Sequence, residues 1–160
     1  MLDDEEFEDF LEKQRNPRYS DLVVEVNQLF QIKTNSAELS IGCDFFSFLL
    51  GNRYQDNQEE KINMDINFNY VIFEIFLSYL QLDYVVIPLG MGCKEWIELA
   101  TLADMYCVAR LSKICEQQLC NLVDDFSCTE LMDFSLEVKA PVLSEWCADF
   151  ELRRMTRIGS

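Results

Sequence analysis

Residues 94–123, KEWIELATLADMYCVARLSKICEQQLCNLV, constrain the fold more than any other stretch of the chain. Trp96, Leu99, Ala100, Ala103 and Cys107 recur at three- and four-residue spacing, and Leu111, Ile114, Cys115, Leu119 and Leu122 repeat the pattern. Two such stripes predict two amphipathic helices with a short break at 106–109. Each stripe has to be buried against something apolar. Residues 69–82, NYVIFEIFLSYLQL, are apolar nearly all round and predict a helix enclosed by its neighbours. That helix is too short for a membrane span, and Glu74 interrupts it.

A chain of 160 residues with 49% apolar content is long enough for one domain with a sizeable core. Its 13 basic residues stand against 29 acidic ones, a formal charge of −16. Such a surface repels phosphate backbones, so direct nucleic-acid binding is not expected. The start, MLDDEEFEDF, is acidic where a signal peptide would be basic. Most of the seven cysteines fall on apolar helical faces, as buried thiols of a reducing compartment do, which points to cytoplasm or nucleus.

The composition also argues against an enzyme. With no histidine, most catalytic triads and the usual general base are missing. No CxxC pair occurs, and Cys115 and Cys120 are spaced off one helical face, so no metal site is expected. The five glycines are scattered and form no phosphate-binding loop, so no cofactor is expected either.

The remaining elements follow in order. An acidic helix is predicted over 4–14, with Phe7, Phe10 and Leu11 as a narrow apolar stripe that must dock on its own domain or on a partner subunit. Strands are predicted over 21–26 and 29–33, joined by a tight turn at Asn27-Gln28. A short helix over 35–41 precedes one carrying Phe45, Phe46, Phe48, Leu49 and Leu50, which Gly51 stops. After the polar loop 52–60 come a strand over 61–65, the enclosed helix, and an edge strand over 84–88 closed by Pro88. Beyond 123, Ser127-Cys128-Thr129-Glu130 reads as a capping box. Pro141 opens a last helix whose buried side is Leu143, Trp146, Cys147 and Phe150. A loose basic tail begins at Arg153.

In that order the chain resembles the BTB/POZ domain family. NPRYSDLVVEV resembles the family's opening, and CDFFSFLLG its "S-x-x-F-x-x-L" helix, with Cys43 in place of the usual Ser. INMDINFNYVIFEIFLSYL resembles the strand and buried helix that follow. LATLADMYCVARLSKICEQQL is close to "L-x-x-A-D-x-Y-x-x-x-x-L-x-x-x-C-e-x-x-L", with Ala103, Asp104, Tyr106, Leu111, Cys115 and Leu119 in place. The departures are Asn35 where the family has His, Asp83 where it has Gly, and the loop 89–92.

The resemblance implies an α+β fold: a small sheet with a cluster of helices, followed by an extra helix pair. It divides the chain into a leading helix over 1–15, the BTB/POZ domain over 16–123, a helical extension over 124–153 and a tail over 154–160. Family adaptors of cullin-RING ubiquitin ligases carry such an extension and hold the cullin scaffold through a hydrophobic-x-acidic loop. In this chain that loop falls on Tyr54-Gln55-Asp56, with Tyr106 as a second contact. The extension would add Trp146 and Phe150 as further contributors. The leading helix resembles the one that dimeric members pack across their two-fold axis, which makes Phe7, Phe10 and Leu11 the implied homodimer stripe. The alternative is a homo-oligomerisation module of a transcription regulator or scaffold protein without cullin binding. Either role is protein–protein interaction without membrane insertion, and in neither does the sequence name a substrate.

Overall fold

The computed structural model describes residues 4–6, 8, 21–50, 60–64, 67, 69–82 and 91–158. Its contacts divide the chain into two compact units, Met1–Pro88 and Leu89–Ser160. Residues 4–6 and 8 are helical, as the acidic stretch predicts; Phe7, Phe10 and Leu11 lie outside the described residues.

The first unit is organised by a sheet of order β2-β1-β3. Strand β1 (Leu22–Val26) pairs antiparallel with β2 (Phe30–Thr34) and parallel with β3 (Glu60–Met64). Alternation decides which face is covered. Leu22, Val24 and Val26 are buried with Ile32, Thr34, Ile62 and Met64, while Glu25 on the other face pairs with Lys61 of β3. The hairpin turn has positive φ at both Asn27 and Gln28, and the Leu29 N–H donates to the Val26 carbonyl at 3.1 Å. Positive φ at the two central residues is what a right-twisted hairpin asks of a tight turn.

Two parallel strands need a crossover. Helices α1 (Ser36–Gly42) and α2 (Asp44–Leu50) lie in the connection between β2 and β3. Asn35 caps α1, its side-chain oxygen accepting from the Glu38 N–H at 3.0 Å. Asp21 accepts from the Ser36 N–H at 2.8 Å and from the Ser36 hydroxyl, so the start of β1 is tied to the first turn of α1. Helix α3 (Tyr70–Leu82) buries Ile72, Phe73, Ile75, Phe76, Leu77, Tyr79 and Leu80 and leaves Glu74 exposed. It approaches α1 so closely that a Cβ on Gly42 would stand 2.7 Å from the Leu80 carbonyl oxygen. Gln81 at its end donates to Thr34 of β2. The strand expected over 84–88 lies outside the described residues.

The second unit is helical. Helix α4 (Cys93–Met105) buries Trp96, Leu99, Ala100, Leu102 and Ala103, and α5 (Ala109–Asn121) buries Leu111, Cys115, Leu119 and Cys120. Cys107, placed by its spacing on the α4 stripe, is instead exposed in the break. It takes φ 57°, its N–H donates to Asp104 at 3.2 Å, and the Val108 N–H donates to Ala103 at 2.8 Å. These are the two hydrogen bonds of a Schellman stop, here with a non-glycine residue in the left-handed position.

Helix α6 (Cys128–Glu137) starts differently from its capping-box pattern. The Ser127 hydroxyl donates to the Leu122 carbonyl at 2.8 Å and makes no cap to the helix. Asp124 does the holding, accepting from the Phe126 N–H at 2.9 Å and the Ser127 N–H at 2.7 Å. Those bonds keep its carboxyl below the usual carboxylate range. Lys139, with φ 56°, ends α6, and the Ala140 N–H donates to the Ser135 carbonyl at 2.8 Å.

Helix α7 (Pro141–Ile158) begins at Pro141 as expected, and Leu143 and Cys147 are fully buried. Two expectations fail here. Trp146 is 52% exposed, on the flank of the buried face. Residues 154–158, expected as part of a loose tail, are helical, since no Gly or Pro breaks the chain before Gly159.

Candidate functional site

The break between α4 and α5 opens onto a surface groove of about 530 Å³. Ala103 of α4, Leu119 of α5, Phe134 of α6 and Leu143 of α7 form its buried apolar floor. Val142 stands exposed on its wall, and Asp104, Lys113, Glu116 and Lys139 give it a rim of both signs. Glu116 also shapes it, accepting from the Leu143 N–H at 3.4 Å in the first turn of α7. A carboxylate there satisfies a free donor and suits the positive helix end. An apolar floor within a charged rim is a layout that protein-binding surfaces share.

Burial pushes the thiols of Cys115 and Cys147 up to about 12 and raises those of Cys93, Cys120 and Cys128. A nucleophilic thiol needs the opposite shift.

Of the residues singled out in the sequence, Tyr106 is half-buried at the end of α4, its N–H donating to the Leu102 carbonyl at 3.0 Å. Its neighbours Asp104 and Cys107 line the groove. Tyr54 and Asp56 lie outside the described residues, as do Phe7, Phe10 and Leu11. Phe150 is half-buried and lines a different pocket, shared with three arginines. The sequence did not reveal Val142 as a surface residue. Its signal was the four-residue spacing to Trp146, which places two large apolar side chains on one flank of α7. In the first unit, Ile41 and Phe48 are also exposed, Phe48 at 89%.

A small mixed sheet, a helical crossover and helical hairpins define an α+β domain. The BTB/POZ family profile matches residues 10–122, and the chain belongs to the BTB/POZ domain family. Members of this family are typically protein-interaction modules rather than enzymes. The chain is similar to "ETO1-like protein 1" of Arabidopsis thaliana, 27% identical over 117 residues, which is 72% of this chain and 13% of that protein. The chain therefore spans only a small part of that relative's length. Among solved structures it is similar to the "BTB domain of zebrafish PATZ1", with TM-score 0.52 and 16% identity, covering 69% of this chain and 83% of that one. That likeness carries the fold. Among the described residues no helix is long and apolar enough to cross a membrane.

Proposed function

We propose that this domain is the scaffold-binding and dimerising part of a substrate adaptor for a cullin-RING ubiquitin ligase. The groove beside the 106–108 turn is then part of the face that receives the cullin N-terminal domain. The observation that carries this is the groove itself, an apolar floor flanked on one side by the helix pair α6–α7. That pair stands where the adaptors that the chain resembles have their extension. The task is positional: one surface holds the scaffold while another domain or chain holds the substrate. Tyr106, with Tyr54 and Asp56, supplies the remaining scaffold contacts, and Phe7, Phe10 and Leu11 the stripe that joins two copies.

Calorimetric titration with the N-terminal domain of the family's cullin tests this. Saturable micromolar or tighter binding is expected, weakened at least tenfold by Val142→Glu and by Tyr54→Ala with Asp56→Ala. A folded chain that gives no binding heat would remove the adaptor role.

A further inference from the structure

The last turns of α7 reverse the charge of the chain. Arg153, Arg154 and Arg157 come from only 13 basic residues in a chain of net charge −16. With Phe150 and Asp125 they line one surface pocket of about 540 Å³. Cations near a helix C-terminus suit its dipole, but that effect is confined to the last turn, where only Arg157 lies. It does not account for three guanidiniums sharing a pocket with an aromatic wall. Asp125, from the turn before α6, is the one acidic residue lining the pocket among the described residues, and it leaves the lining positive. Arg154 reaches Glu151 at 3.9 Å, too long for a tight ion pair. Both Arg153 and Arg157 are exposed.

We propose that this pocket docks a short acidic peptide segment of a partner protein, its apolar side chain against Phe150 and its carboxylates against the arginines. The seven-residue step from Phe150 to Arg157 is roughly 10 Å along the helix. An extended peptide covers that length in about three residues. Side chains of an extended segment alternate between faces, so the pocket takes an apolar residue and the acid two positions on, with the flanking acids adding to the field. Guanidinium forks take carboxylates in pairs of parallel hydrogen bonds, which fixes orientation as well as charge.

Charge range selects a short peptide over a polymer. Fields at a protein surface fade over about 8 Å at physiological salt. A segment of a few residues meets three arginines against Asp125 and the nearby Glu151, whereas a nucleic acid or an anionic bilayer also meets more of the acidic remainder, including Glu145 and Asp149 of the same helix. The pocket shares no lining residue with the groove, so it stands or falls apart from the cullin reading.

Fluorescence anisotropy on the whole chain tests the proposal with two labelled probes, Gly-Ser-Phe-Glu-Asp-Glu-Gly and its neutral twin Gly-Ser-Phe-Gln-Asn-Gln-Gly. The acidic probe is expected to bind at least tenfold more tightly than the twin and to weaken as salt rises. Arg153→Gln with Arg157→Gln should cost tenfold or more in affinity with the far-ultraviolet circular dichroism unchanged. Equal binding of the two probes, salt-independent binding, or tighter capture of an RNA oligonucleotide or phosphatidylserine vesicles would overturn it. The probe comparison and the salt series need only the unaltered chain, so a variant that misfolds does not leave the question open.

Discussion

In the sheet-bearing unit, residues far apart in the chain decide what is buried. Ile32, Val24 and Ile62 form one row across three strands. In the helical unit, burial follows neighbours three and four apart, as in Leu111, Cys115 and Leu119. The two also differ in where their sequence is under strain. The first unit places its demands on close approaches between elements, such as Gly42 against Leu80. Both units hold left-handed backbone without glycine, the first in its hairpin turn at Asn27 and Gln28, the second at the helix stops Cys107 and Lys139, so the second places its demands on those stops alone. Strand pairing thus leaves little freedom at contact points, whereas helical stripes leave freedom that the stops between helices must absorb.

Substitutions can break or sharpen that contrast. The largest effect is expected from Phe76→Ala, in the fully buried face of α3. The lost burial and the cavity should cost about 3–5 kcal/mol in urea denaturation. Gly42→Val follows, at about 2 kcal/mol, because the new side chain meets the Leu80 backbone. Gly92→Ala in the helical unit is the milder comparison, at about 0.5–1 kcal/mol: its nearest atom, Glu95 Oε2 at 3.3 Å, belongs to a side chain that can shift, at the cost of the bond it accepts from the Gly92 N–H at 3.0 Å. Equal losses from the two glycines would sink the distinction.

Alkaline pH probes the helical core. The Cys115 thiol is pushed up to about 12 from an ordinary 9.0, chiefly by burial. Between those values the unfolded thiol ionises and the folded one does not. Its contribution is therefore full below pH 9 and is lost as pH rises towards 12. One such thiol steepens the fall by up to about 1.4 kcal/mol per pH unit, and Cys115→Ala should flatten the slope measured by denaturation across this window. The smallest effect is a gain: Lys139→Gly should add roughly 0.5–1 kcal/mol by relieving left-handed strain at the end of α6. A loss there would mean that the Lys139 side chain matters more than its backbone.

Much of the fold was legible because periodicity survives in short windows. The hairpin, the enclosed helix and the break near Tyr106 can all be read from alternation, a nearly all-apolar run and paired stripes. Trp146 was misread because spacing fixes an arc of a helix but not how much of that arc is covered. The break containing Cys107 is legible, but its side chain is exposed although the spacing extends the stripe to it, because the left-handed turn fixed by the Cys107 and Val108 hydrogen bonds takes it off the helix. Ser127 fitted a capping pattern that Asp124, three residues earlier, supersedes. The groove had no sequence signature, since Ala103, Leu119, Phe134 and Leu143 come from four helices and meet only in the folded unit. Tyr106 was legible as the break beside it, whereas Tyr54 and Asp56 rest on the family frame alone.

The most direct test of the central claim is amide hydrogen exchange on the chain with and without the cullin N-terminal domain. If the groove is the scaffold-binding face, added protection should concentrate at 103–119 and 134–146. Protection confined to 41–50, around exposed Ile41 and Phe48, would move the binding face to the sheet-bearing unit and contradict the account.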